Sequence, residues 1–515
     1  MSTPTPWART LRTLAPALFA VLVFVVLVAV GREVDHGRTK MLVELAAVGV
    51  LGLLAMYQRG MLIAVLVLAG MNGVPFFDTS RPALHHIAVQ DVACFALVGV
   101  SLAWIVAGAG HHAPPIARRL GWCGALLLAW CLFTALRSWA TGGAPLLGGL
   151  REGRDFMYFG ALLMVLPRVR LTERELRALL AVLVAGVCLF SIGQIATIEG
   201  YANPTYLVHA TATGVTLGST RVYAQMNDLL FAGVAIGVAA VVLGVNRRVS
   251  IPVTLLLLVS LAVQLTRARW IALIASFVVV SAWFVLQGER RAALAVRRRI
   301  PMILGLVVLA VALVAIADPA LLSGSRLLKR VLSAFTDVGA SSTTTSTVAV
   351  RQQVAGAMLQ LLGGRWPIGV GLIPPSAHYY LTLPGGALRD PDVGVMNAVM
   401  TIGVIGAALI YAPFIVMLRY SMRIARTTVT SYQWLIYGGQ IWIVASLISS
   451  ITLITLFSVG GLVMSAALLS VLCQPVVAQE SIAASEREAD DQASSAPRPA
   501  RDRLVYRGDA LGDPG

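Results

Sequence analysis

Runs of apolar residues recur about fourteen times between residues 14 and 473, and this recurrence constrains the fold more than any other feature. A bilayer core of about 30 Å takes about 20 apolar residues of helix to cross. The runs centre near 14–31, 41–57, 61–77, 87–108, 120–139, 155–167, 176–197, 227–245, 250–265, 270–287, 300–317, 394–418, 433–451 and 453–473. Several are short, 155–167 is the weakest, and the last two nearly touch. The spacing therefore predicts an all-α polytopic membrane protein of about 12–14 transmembrane helices.

Composition agrees. Of 515 residues, 58% are hydrophobic and 12% charged, where a soluble chain carries about 25% charge. The net charge of +16 comes almost wholly from arginine, since Lys40 and Lys329 are the only lysines. Such a surplus can mark a nucleic-acid binder. Here the arginines sit in short loops between apolar runs, which is a membrane-topology pattern, so the lipid bilayer is the expected partner and nucleic acid is not. The five cysteines lie in or beside apolar runs and suggest neither a disulfide framework nor a thiolate metal site.

Arginine placement predicts the orientation. With the N-terminus inside, the inner loops hold Arg9, Arg12, Arg59, Arg118, Arg119, Arg168, Arg170, Arg174, Arg177, Arg247, Arg248, Arg290, Arg291, Arg297, Arg298, Arg299, Arg419, Arg423 and Arg426. The short outer loops hold fewer: Arg32, Arg38, Lys40, Arg81, Arg151, Arg154, Arg221, Arg267 and Arg269. The imbalance favours N-in and C-in, with an even number of spans. The first run reads as an uncleaved signal anchor. Residues 1–317 would hold the first eleven helices, 318–393 a long extracytoplasmic loop, 394–475 the last three helices, and 476–515 a disordered cytoplasmic tail rich in Glu, Asp, Ser, Arg and Pro.

Four outer segments carry residues that anchoring does not explain. In GGLREGRDFMYFGALL, from Gly148, Arg151 and Arg154 stand at a helix mouth, with Glu152 and Asp155 as ready ion-pair partners. In GSTRVYAQMNDLLFAG, from Gly218, Arg221 and Asn227 lead into a helix whose N-terminus favours anions, although Asn227 or Asp228 would more simply cap it. In VQLTRARWIALIASF, from Val263, two helices meet almost without a loop, which places Thr266, Arg267 and Arg269 near the outer boundary. Snorkelling explains one of these arginines better than two.

The fourth segment is the long loop. SRLLKRVLSAF suits a helix lying in the interface, SSTTTST at 341–347 a flexible link, and VAVRQQVAGAMLQLL a second helix with Arg351. Gly and Pro then punctuate a shaped loop that carries His378. Asp392 stands at the mouth of the next span. The adjacent pairs His85-His86 and His111-His112 lack the spacing that puts two ligands on one helix face. Glu44 and Asp91 lie within or near spans and would matter to an ion-coupled transporter.

With these residues in place, the chain resembles the superfamily of O-antigen ligases and O-antigen polymerases of the Wzy type. LTRARW looks like the family's Thr-x-Ser-Arg segment, with Ala268 in place of Ser and Arg269 matching the Arg. RQQVAGAMLQLLGGRWPIGVG looks like the family's Arg, helix and Pro-x-Gly-x-Gly, through Arg351, Pro367, Gly369 and Gly371. His378 falls where the family has its loop His, with Tyr379 in place of the usual Asn. DVGVMNAVMTIGVIG matches through Asp392, Gly394, Gly403 and Gly406. The resemblance implies a GT-C-like enzyme of the cytoplasmic (inner) membrane that acts on its extracytoplasmic face without metal or cofactor. Its donor would be a polyprenyl-pyrophosphate-linked glycan, and its acceptor a hydroxyl of a glycan or other molecule. Arg269 and Arg351 would steady the leaving pyrophosphate and His378 would take the proton of the attacking hydroxyl. Arg221, Asn227, Arg267 and Asp392 would bind substrate. A transporter or flippase of lipid-linked glycans or another solute is the alternative.

Overall fold

A computed structural model of the chain describes residues 58–73, 82–84, 87–109, 113–198, 208, 212–216, 219–264, 267–286, 301–310, 312, 347–373, 394–427, 432–451, 453, 458–474 and 477. The first two apolar runs, the SRLLKRVLSAF segment, residues 341–346 of the Ser/Thr run, Glu44, His378, Asp392 and the acidic tail lie outside these residues. Each of the other apolar runs contains a helix.

The helices are α1 (Arg59–Gly70), α2 (Val89–Trp104), α3 (Pro115–Ala140), α4 (Leu146–Glu152), α5 (Arg154–Val165), α6 (Glu173–Ile198), α7 (Asn227–Leu243), α8 (Arg247–Val263), α9 (Arg267–Leu286), α10 (Pro301–Ala310), α11 (Thr347–Leu362), α12 (Gly394–Thr427), α13 (Gln433–Ser449) and α14 (Val459–Leu472). Two antiparallel hairpins add short strands at helix entrances: β1 (Pro82–Leu84) with β2 (Ile87–Ala88), and β3 (Ala212–Thr216) with β4 (Ser219–Tyr223). The second pairs Gly214 with Arg221 and Ala212 with Tyr223. The segment from Gly218 thus enters α7 as a strand, in keeping with its β-branched and aromatic residues.

Four helical stretches among the described residues are long and apolar enough to cross a membrane: Val89–Ala107, Pro115–Ala140, Glu173–Thr197 and Gly394–Ala425. Others are apolar but shorter, including α1, α7 and α14. The run at 155–167, the weakest by sequence, is a short helix that tightens into a 3₁₀ turn at Leu166–Arg168, where Pro167 removes a donor.

Burial sorts the helices into two kinds. Every residue of α14 is buried, and most of α7 and α13 are. A helix that is apolar all round and buried all round belongs to the centre of a bundle. In contrast, α3 bares Trp122 (70% exposed), Leu126, Phe133, Leu136 and Trp139 along its length, and α9 bares Ile274 and Val278. These large apolar faces suit contact with lipid chains. Packing against neighbours uses small residues, as lipid-embedded helices do. A Cβ at Gly124 of α3 would lie 2.3 Å from the carbonyl oxygen of Gly160 in α5.

Helix ends gather in two sets. At one end, Arg59 pairs with Glu175 at 2.7 Å, Tyr432 donates to Glu173, and Gln474 bonds the backbone of Val169 and Leu171. At the other, Arg154 pairs with Asp91, and Arg269 with Asp228.

Candidate functional site

The polar cluster of interest is built at the corner where α8 ends and α9 begins. Gln264 closes α8, and Arg269 sits in the first turn of α9. Both point to the first turn of α7, where Asn227 and Asp228 lie, and Gln264 also reaches Gln194 on α6. Arg269 is 6% exposed. Its Nη2 donates to Oδ1 of Asp228 at 2.9 Å, and its Nη1 donates to the carbonyl oxygen of Asn227 at 3.1 Å and to Oε1 of Gln264 at 3.0 Å. The guanidinium also lies 5.9 Å from the ring centre of Phe231.

The side-chain amides continue the network. Gln264 donates through Nε2 to Oδ1 of Asn227 and to Oε1 of Gln194. Ser260 donates to the same Gln194 oxygen at 2.6 Å. On the far side, the hydroxyl of Ser458 lies 3.4 Å from Oδ2 of Asp228. Ser458 caps α14 by accepting from the backbone of Gly461. Helices α6, α7, α8, α9 and α14 therefore meet through one buried hydrogen-bonded set containing one cation and one anion. A charge held among apolar helices is costly unless it is paired and hydrogen-bonded, and this pair is both.

This geometry changes two expectations. Neither Asn227 nor Asp228 caps α7: the helix has no side-chain cap bond, because Met226 precedes it and the two polar side chains turn to Gln264, Gln194 and Arg269. Arg269, expected near the outer boundary, is buried in the bundle beside Asp228. Gln194, Ser260, Gln264 and Ser458 were not singled out by sequence. Gln194 and Gln264 carried a signal, since each interrupts an apolar run with an amide that must find a partner.

Arg154 likewise does more than pair on the surface. It reaches Asp155 at 3.5 Å, as its neighbours suggest, and also Oδ2 of buried Asp91 at 3.1 Å. Tyr158 donates to the other Asp91 oxygen, and the backbone of Ala88 donates to Oδ2. Asp91 thus ties α2 to α5 with each oxygen occupied. Arg151 is exposed.

The Pro-x-Gly-x-Gly segment forms a joint with α12. That helix breaks at Gly403 (φ 74°, ψ 176°), about 13 Å inside its start. Residues 366–371 fill the break. Val370 and Gly371 donate to the carbonyls of Met400 and Thr401 at 2.8 and 3.0 Å. Val404 and Ile405 donate to the carbonyls of Trp366 and Pro367 at 3.0 and 3.2 Å. The Trp130 indole bonds the carbonyl of Ile402, and Arg137 bonds that of Gly369. The glycines are required: a Cβ at Gly403 would lie 2.2 Å from the carbonyl oxygen of Pro367, and one at Gly371 (φ 118°) 2.1 Å from Oγ of Ser138.

Of the remaining residues proposed from sequence, Arg221 lies in β4, Arg267 opens α9, and Arg351 lies in α11. For these three the structure describes the backbone. Among the described residues no three His, Cys, Asp or Glu side chains come together to hold a metal ion. In comparison with known proteins, no family model matches the chain, and no curated protein does.

Proposed function

We propose that this protein is a membrane glycosyltransferase that transfers or polymerises a polyprenyl-pyrophosphate-linked glycan at the outer side of the cytoplasmic membrane. The observation that carries the reading is the buried guanidinium of Arg269, gathered with three side-chain amides where five helices meet. Ionisable groups inside a helical bundle are expensive and mark function by default.

In this reading the acceptor hydroxyl attacks the anomeric carbon of the donor glycan. Its C–O bond forms as the bond to the lipid pyrophosphate breaks, and the electron pair leaves on the phosphate oxygen. Negative charge grows there, and the permanently charged fork of an arginine matches phosphate oxygens. Arg269 is buried, and in this reading Arg351, Arg221 and Arg267 would join it in supplying such groups in a partly dry setting. His378 would take the hydroxyl proton, and Asn227 and Asp392 would help hold the sugar. The apolar helix faces would hold the prenyl chain.

The transporter or flippase reading has one observation in its favour, the interrupted α12, because broken helices with free ends build ion sites in transporters. Here loop backbone and Trp130 occupy the carbonyls of Met400, Thr401 and Ile402 and the N–H groups of Val404 and Ile405. Such an occupied joint weighs toward a structural role for the break.

Reconstitution of the purified chain with a polyprenyl-pyrophosphate oligosaccharide tests the proposal. Arg269→Lys, Arg351→Gln and His378→Ala are each expected to lower transfer by about 100-fold or more while the protein stays in the membrane. Normal product length and amount in all three variants would sink the reading. A lengthened product that keeps its pyrophosphate marks a polymerase, and a pyrophosphate-free product marks a ligase.

A further inference from the structure

Asp228 stands between a guanidinium and the capped N-terminus of α14. Its Oδ1 takes the Arg269 guanidinium at 2.9 Å, a short charge-assisted bond. Its Oδ2 faces the Ser458 hydroxyl at 3.4 Å, a long one. Ser458 is the N-cap of α14, a helix of 14 residues, and a helix N-terminus favours negative charge. The carboxylate thus rests on Arg269 with a second, looser hydrogen-bond donor beside it. The pair balances one positive against one negative charge, so an arriving phosphate would meet a carboxylate already seated on the guanidinium it needs. Two anions on one cation in a low-dielectric setting repel strongly.

We propose that Asp228 is a counter-ion latch on Arg269. It holds the guanidinium in the resting protein and yields it to a pyrophosphate-class ligand, moving onto Ser458 and the N-terminus of α14. This deepens the glycosyltransferase reading above and rests on it. The latch matches the buried cation when the site is empty. It also makes ligand binding a competition, so that only an anion able to outbid a carboxylate takes the site. Gln264 and the Asn227 carbonyl keep Nη1 in place while Nη2 changes partner.

The test uses the full chain in phosphatidylcholine nanodiscs, with inorganic pyrophosphate as the probe and calorimetry as the readout. Asp228→Asn removes the competing charge and is expected to bind pyrophosphate about tenfold more tightly than the wild type. Ser458→Ala leaves the Arg269 pair but removes the receiving hydroxyl, and is expected to bind about threefold more weakly. An Asp228→Asn affinity equal to or weaker than the wild type overturns the latch. So does an unchanged affinity in Ser458→Ala, which keeps the test decisive if Asp228→Asn does not fold. Glycan transfer by the reconstituted wild type is measured in parallel. Transfer without these affinity shifts refutes the latch alone, whereas absence of both transfer and pyrophosphate binding refutes the glycosyltransferase reading and the latch with it.

Discussion

The energetics of Arg269 follow from its surroundings. Both members of the pair are largely shielded, with side-chain exposures of 7% and 10%, so removing one partner strands the other in a poor solvent. Arg269→Gln leaves the Asp228 carboxylate unmatched and is expected to cost about 3–5 kcal/mol. The double variant Arg269→Gln with Asp228→Asn removes both charges and is expected to recover most of that loss. Thermal unfolding of the purified variants in one detergent checks both, and equal melting of the single and double variants would refute the coupling. At this scale the sequence showed that Arg269 is unusual, because an arginine pair at a loopless helix junction lacks a complete anchoring role. It did not show the partner. Asp228 is 41 positions away, and no local periodicity links the two.

Among the elements, α12 shows best what a pattern of apolar residues misses. Residues 394–418 read as one span, but the helical stretch that reaches Thr427 is two helices joined at Gly403. The break at Gly403 is invisible to hydropathy because Ile402, Gly403 and Val404 are all uncharged and compatible with a span. What breaks the helix is a second strip of backbone, residues 366–371, whose groups replace the intrahelical bonds. The spacing of Gly369, Gly371 and Gly403 was legible as a motif, but its purpose, close backbone approach, was not. Gly403→Ala would combine a glycine-only conformation with a 2.2 Å contact and is expected to cost about 3 kcal/mol or more. Gly363→Ala, also at positive φ (50°) but facing open space, is expected to cost only about 1 kcal/mol. Melting temperatures of the two variants should separate accordingly, and a milder effect at Gly403 would contradict the joint.

Across the whole molecule, the two sets of helix ends define the testable architecture. Thr141 follows α3 at the end shared with Asp91 and Arg269, and Arg119 lies near the opposite end of the same helix; both are exposed. Single-cysteine variants Thr141→Cys and Arg119→Cys, in a background with the five native cysteines replaced by Ala, are therefore expected to label from opposite sides. Under the N-in orientation, a membrane-impermeant maleimide should reach Thr141→Cys in intact cells and Arg119→Cys only after permeabilisation. The reverse pattern would invert the orientation, and labelling of both from one side would contradict the crossing of α3. By itself the sequence determined that the chain is a series of apolar helices suited to lipid, and predicted how their ends alternate. Those properties are local: hydropathy, helix length and arginine placement are written in consecutive residues. Only the tertiary structure decided that Arg269 is matched by Asp228, that Gln264 links the pair to the amides of Asn227 and Gln194, and that the glycine motif closes a break in α12. Each of these depends on which distant backbones approach closely enough to share a hydrogen bond, and that is set by the packing of several helices at once.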